Sequence, residues 1–387
     1  MGPISAITRF VRQETAGSTP CTHGGRIAES GREDALDFSA NLNPEGIPEV
    51  KTSARSAETI EEKLKHYPDN RYLRLRGAFA NFVENYRHSG TPEHTQKITA
   101  ENIIPTNGSS ELIRLFAETL IQRGDRVIIP APTFGEYAFQ CQLFGANVQY
   151  CDYSQILGLT TTEISDASAV FLCNPNNPTG SMISQSDVLQ LADRCFDHET
   201  FLFIDEAFIE LADPTQSIVH TVFDSDFVLV LRSLTKVFAV PGLRIGFGIA
   251  SRELAELLNR VRLVWNIGAP TEVIGMRLMD ACMKSDYLKR SSDLIRTERE
   301  YLTKGLVNRG FTPLKSSVNF ILVDITNTNM DSQELTLKML EQGILIRDCA
   351  SFKNLSTKYV RLAVRTRQEN RMLLQAVDAV LRESSEQ

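Results

Sequence analysis

The sequence predicts an α/β fold built on a mostly parallel sheet, and three observations carry that reading. Short, nearly continuous apolar runs recur through the middle of the chain. Amphipathic stretches of helical length lie between several of them. At 387 residues the chain is also long enough to bury a large core.

Taken in order, the first 50 residues are rich in Gly, Pro, Asn and Ser and hold little regular structure. Alone they could form no core, so they are expected to pack against another part of the protein. Glu111–Gln122 reads as an amphipathic helix. The runs Asp125–Pro130, Asn147–Tyr153, Ala169–Cys173, Phe201–Ile204 and Phe227–Leu231 are short and β-branched or aromatic, as strands buried on both faces should be. Ser186–Arg194 reads as a helix between two of them. A long polar helical stretch follows over Ser285–Arg309. Strand candidates Val318–Asp324 and Tyr359–Val364 have a helix between them, and Gln368–Arg382 closes the chain as a helix. The division expected is a large domain over 58–283 and a small α+β domain formed by 1–57 and 284–387.

Composition narrows the function. Lys and Arg total 41 against 48 Asp and Glu, a net charge of −7, so a general nucleic-acid binder is not expected. No apolar run approaches the roughly 18 residues that span a bilayer. Charges interrupt the N-terminal stretch, so neither a signal peptide nor membrane association is expected. Seven cysteines form no C-x-x-C pair. They read as reduced thiols of a cytoplasmic protein, and no metal is expected.

The chemistry concentrates in four places. Lys236, in Ser233-Leu-Thr-Lys236, follows an apolar run; desolvation there can make a lysine a nucleophile. Alone it reads more readily as a surface lysine. The S-x-x-K spacing also occurs in serine acyl-enzymes, but the S-D-N and K-T-G tripeptides that accompany it there are missing. Asp205 directly follows the run FLFI, at the strand end where open α/β sheets bind ligands. Asn174–Gly180 (NPNNPTG) follows AVFLC and brings Asn177 to the same edge. Asn107-Gly108-Ser109-Ser110 opens a helix, and small residues there expose a phosphate-binding N-terminus. Arg244 could reach the same phosphate. A phosphate, a basic ring nitrogen and an aldehyde together describe pyridoxal 5′-phosphate.

NPNNPTG, DEAF (Asp205–Phe208), SLTKVFAVPGLRIGF (Ser233–Phe247) and VRLAVRTRQEN (Val360–Asn370) occur in the order in which they stand in fold-type I pyridoxal-phosphate enzymes. The chain resembles the class I/II aminotransferase family over almost its whole length. That resemblance implies Lys236 as the Schiff-base lysine, Asp205 on the pyridinium and Asn177 on the ring hydroxyl. It implies Gly108, Ser109, Ser233 and Arg244 around the cofactor phosphate. Tyr67, in His66-Tyr-Pro-Asp69, resembles the tyrosine that reaches the partner's cofactor across a homodimer. One departure is Phe208, where many relatives carry Tyr, so Asn177 is expected to hold the ring oxygen alone.

Within the family, His23-Gly-Gly25 and Asp37-Phe-Ser-Ala-Asn41-Leu-Asn-Pro44 resemble L-threonine-O-3-phosphate decarboxylases, enzymes of cobalamin biosynthesis. Histidinol-phosphate aminotransferases are the alternative branch. The resemblance implies that Arg361 clamps the substrate carboxylate, that Arg347 holds its phosphate, and that His23 and Asn41 stand nearby. It further implies a small phosphorylated amino-acid substrate. A ligand-sensing relative of the same fold is a third, non-enzymatic possibility, which the missing basic N-terminal extension disfavours.

Overall fold

A computed structural model of the chain describes residues 10–25, 27–32, 34–50, 60–85 and 96–385. Its larger sheet is built from β2 (Ile103–Thr106), β3 (Arg126–Ala131), β4 (Asn147–Asp152), β5 (Ala169–Cys173), β6 (Phe201–Asp205), β7 (Val228–Ser233) and β8 (Gly246–Ile249). These run in the order β2-β8-β7-β6-β5-β3-β4. β8 is antiparallel to both neighbours, and the other pairs are parallel. The interior strands β5 and β7 are buried at every position, which is why β5 and the first four residues of β7 are continuously apolar rather than alternating; the buried Arg232 at the end of β7 is paired with Glu206 and Glu210. β4 lies at an edge and is only partly buried.

Two strands of this sheet, β2 and β8, escaped the sequence reading, and each has a physical reason. Pro105 interrupts β2, which a sheet tolerates because β2 is an edge strand. In β8, Gly246 and Gly248 give no strand signal. Their missing side chains let a helix approach the sheet closely: a Cβ on Gly246 would lie 2.9 Å from the Ser109 nitrogen, and one on Gly248 2.9 Å from Leu112. That helix is α2 (Ser109–Leu120), after α1 (Leu73–Asn85). Then come α3 (Glu136–Leu143), α4 (Gln185–Asp197), the short α5 (Leu234–Val237), α6 (Arg252–Val261) and α7 (Ala269–Met283).

The C-terminal part holds α8 (Tyr287–Val307), α9 (Ser332–Glu341) and α10 (Arg367–Ser385). With them goes an antiparallel sheet ordered β12-β13-β10-β9, made of β9 (Thr312–Pro313), β10 (Phe320–Asp324), β12 (Arg347–Asp348) and β13 (Tyr359–Ala363). The N-terminal segment docks here. Its β1 (Leu36–Asp37) pairs in parallel with β11 (Ile344–Leu345), and Phe38 is fully buried in the core shared with Leu302, Ile321 and Leu373. The seven cysteines are all free, five of them buried. Among the described residues no helix is long and apolar enough to cross a membrane, and no group of His, Cys, Asp and Glu is arranged to hold a metal ion.

Candidate active site

Parallel strands place their C-terminal ends on one edge of the sheet. Cys173, Asp205 and Leu231 stand level there, on β5, β6 and β7. Asn177 lies four residues beyond the first and Lys236 five beyond the last, so register alone brings Asn177, Asp205 and Lys236 together. They line one cavity of about 1000 Å³ between the two sheets.

Asp205 is 5% exposed. Its Oδ2 accepts a hydrogen bond from the Tyr137 hydroxyl at 2.6 Å, and its Oδ1 accepts one from the Ala207 amide at 2.9 Å. Burial nevertheless outweighs both bonds and raises the carboxyl pKa to about 6. A cation is therefore wanted at this point. Lys236 is pushed the other way, down to about 8, chiefly by desolvation and then by Arg361 and Arg244. A lysine so shifted offers a neutral amine near physiological pH.

At the other end, Gly108 caps α2 at φ 75°, ψ 160°, with no side-chain cap on the first turn. Its missing Cβ makes room for Arg244, whose Nη2 would lie only 2.4 Å from such an atom. Arg244 itself sits at φ 52°. Ser109, Ser110 and Arg244 line the cavity, so amide donors, a helix N-terminus and a guanidinium converge. Gly108 and Ser233 lie just behind the wall. The Ser233 hydroxyl is 2.9 Å from that of Thr235, which lines the cavity in its place.

Two arginines close the small-sheet side. Arg361 on β13 and Arg347 on β12 are directly opposed in register, so they share one face of the sheet. Arg361 donates to the Asn177 side-chain oxygen and, at 2.8 Å, to the Ser39 carbonyl. Burial lowers its pKa to about 10. Arg347 donates to the carbonyls of Thr22 (2.8 Å) and His23 (3.2 Å). His23-Gly-Gly25 is thus a packing device as well as a motif. A Cβ on Gly24 would lie 2.4 Å from the Ser39 carbonyl oxygen, and the Gly25 amide donates to the Ser39 hydroxyl at 2.7 Å. His23 and Asn41 join the wall.

Of the residues singled out in the sequence, Ser109, Asn177, Asp205, Lys236, Arg244, His23, Asn41, Arg347 and Arg361 line this cavity. Tyr67 does not. It is 77% exposed and stacks on Trp265 with ring centroids 4.2 Å apart. Phe208 stands in the wall edge-on to Phe320. Asn177 has its oxygen engaged by Arg361 and keeps its amide nitrogen for other partners. Tyr137 and Thr235 went unnoticed in the sequence. The segment Phe134-Gly-Glu-Tyr137 after β3 was the available signal for the first.

The model of the family described as aminotransferase class I and II matches residues 33–377. The chain belongs to this family. Its relatives include a histidinol-phosphate aminotransferase of Methanopyrus kandleri, 30% identical with 96% of each chain covered. Another, from Caldanaerobacter subterraneus subsp. tengcongensis, is named "Putative threonine-phosphate decarboxylase" and is 32% identical over 94% of this chain and 95% of its own. Among solved structures, the histidinol-phosphate aminotransferase of Clostridium acetobutylicum superposes with a TM-score of 0.77. It is 28% identical, with 90% of this chain and 99% of that one covered. The L-threonine-O-3-phosphate decarboxylase of Porphyromonas gingivalis, 20% identical with a TM-score of 0.70, shares the fold, covering 87% of this chain and 99% of its own.

As an aminotransferase-family enzyme of fold-type I, the protein uses pyridoxal 5′-phosphate. The cavity fits that group on its own terms. Asp205 is a buried acid in want of a cation, and Gly108 leaves a cradle beside Arg244 that a Cβ would fill. Asn41 Oδ1 and Arg361 Nε are buried without hydrogen-bond partners, as in a wall completed by a bound molecule.

Proposed function

We propose that the protein decarboxylates L-threonine O-3-phosphate to (R)-1-aminopropan-2-yl phosphate, a product that cobalamin assembly consumes. The observation that carries this reading is the opposed pair Arg361 and Arg347, with His23 beside the second. Two guanidiniums on one wall suit a substrate bearing two anions, a carboxylate and a phosphate, at fixed separation.

When bound, pyridoxal phosphate draws electrons from a bond to the substrate α-carbon into its ring. The residues of the chain do the rest. Lys236 would hold the cofactor covalently and carry a proton. Asp205, oriented by Tyr137, would keep the ring nitrogen protonated, and Asn177 would donate to the ring oxygen. Ser109, Thr235 and Arg244 would surround the cofactor phosphate, with Gly108 and Ser233 behind them. Arg361 would hold the substrate carboxylate, and Arg347, His23 and Asn41 would fix the substrate phosphate. Anchoring both anions would orient the substrate for loss of CO₂ rather than of a proton.

We further propose a homodimer in which Tyr67 completes the partner's site. The exposed Tyr67–Trp265 stack lies in a stretch that also exposes Leu263 and Val264. The domain division at 58–283, with 1–57 joined to 284–387, belongs to the same proposal; Tyr287 and Ile295 of α8 pack into the larger core and bridge the two. A cytoplasmic setting belongs to it too, since seven free thiols suit a reducing compartment.

A second reading, transamination of histidinol phosphate, is favoured by the Methanopyrus and Clostridium relatives. One assay separates the two. Purified enzyme with cofactor and L-threonine O-3-phosphate, and no 2-oxo acid, should release CO₂ and the amine phosphate in equal amounts. Glutamate formed from 2-oxoglutarate and histidinol phosphate, with no CO₂ from the threonine phosphate, would establish the aminotransferase instead.

A further inference from the structure

Behind the cavity wall, a buried carboxylate meets His23. Glu136 on α3 is 8% exposed and is absent from the wall, whereas His23 lines it. His23 Nε2 lies 2.9 Å from Glu136 Oε1, and Gln140 donates to Oε2 at 2.9 Å. The His23 ring rests against Phe134, centroids 5.6 Å apart. Hydrogen bonding from His23 outweighs burial and, with Gln140, holds the Glu136 carboxyl below its usual pKa. Among the described residues no lysine or arginine pairs with Glu136.

A buried anion one side chain behind a phosphate pocket should repel phosphate, unless a cation stands between them. His23, protonated on both ring nitrogens, is the group placed to be that cation. The other charged and titratable groups here are few. The Cys21 thiol, within bonding reach of Glu136, is pushed up to about 11, so it stays neutral. Arg347 is anchored on the carbonyl of His23 itself. Lys353 lines the same cavity and lies over Tyr150.

We infer that Glu136 is a positioning residue for phosphate selectivity. It accepts the Nε2–H of the His23 imidazolium, fixes the ring in the cavity wall, and makes the His23–Glu136 ion pair a dipole whose positive end faces the substrate phosphate. The inference rests on the reading of Arg347 and His23 as the phosphate site.

The test uses cofactor-loaded enzyme and Glu136→Gln. KM for L-threonine O-3-phosphate should rise about tenfold or more while kcat stays within about threefold. The inhibition constant of inorganic phosphate should weaken by a similar factor. A downfield proton resonance from the His23 ring N–H should vanish in E136Q and persist in E136D, which keeps the carboxylate and guards against a misfolded E136Q. Added to His23→Ala, E136Q should cost nothing more. A fall in kcat at unchanged KM, or additive effects of the two changes, overturns the inference. So does a phosphate preference that E136Q leaves intact. A wild-type enzyme with equal KM for threonine and its phosphate overturns the phosphate reading, and the inference falls with it.

Discussion

Asp205 carries opposed demands. In the proposed function the cofactor ring wants a carboxylate at the end of β6, yet burial disfavours a charged one there. With its carboxyl raised from 3.8 to about 6, the cofactor-free protein binds this proton more tightly than the unfolded chain does. Stability of that form therefore falls as pH rises through about 4 to 6 and stays lower above, by about 3 kcal/mol at most. Asp205→Asn should consequently raise the melting temperature of cofactor-free protein at pH 7.5 while lowering turnover about 100-fold or more. Calorimetry and a product assay read the two signs; a destabilised variant would refute the first. Lys236 gives a second prediction. The amine attacks only when neutral, and its pKa lies at about 8. Uptake of pyridoxal phosphate by cofactor-free enzyme, followed by visible absorbance, should quicken with pH and level off above about 8. A rate still climbing toward pH 10 would mean that the lysine is not desolvated.

These residues were legible because each sits in a local motif at a strand end. Tyr137 and Glu136 were not. Their partners, Asp205 and His23, lie 68 and 113 residues away in sequence, and no local pattern encodes a contact of that range.

At the scale of elements, the turn into α2 is the most demanding joint. Gly108 stands at φ 75°, ψ 160°, a region that side chains avoid at a cost of about 1–3 kcal/mol. Gly108→Ala adds that strain and drives a Cβ into Arg244. The expected outcome is a lower melting temperature together with at least tenfold weaker cofactor retention on dialysis. Normal retention would show that the β2–α2 turn does not hold the cofactor phosphate. The buried parallel strands announced themselves by apolar runs, because a strand covered on both faces admits a polar side chain only where a partner satisfies it, as Glu206 and Glu210 do for Arg232 on β7. β2 and β8 stayed silent, since Pro105 and the two glycines serve an edge and a close helix contact. The start of α2 was read two residues late for the same reason: its cap is a glycine, with no side-chain oxygen to mark it.

At the scale of the whole molecule, the N-terminal segment is a strap. Carbonyls of Thr22, His23 and Ser39 receive Arg347 and Arg361, and β1 joins the C-terminal part. The dimer proposal makes its own prediction here. Lys236→Ala and Tyr67→Ala proteins should each be nearly inactive, yet mixing and reassociation should restore activity, because one site of the mixed dimer recovers both residues. The expected maximum is about a quarter of wild type per total site, measured by turnover after refolding together. No recovery in dimers proven mixed by mass would place Tyr67 outside the partner's site.

The sequence by itself determined the α/β class, the cofactor and most of the residues proposed to act in the cavity. Those properties are written in short apolar runs and in contiguous motifs, where neighbours in the chain are neighbours in space. Tertiary structure alone decided that Arg347 faces Arg361, that Glu136 stands behind His23 and that Tyr67 turns away from its own cavity. Each depends on strand register or on chain segments meeting across long loops, and such pairings follow from the packing of the whole molecule rather than from any local stretch of it.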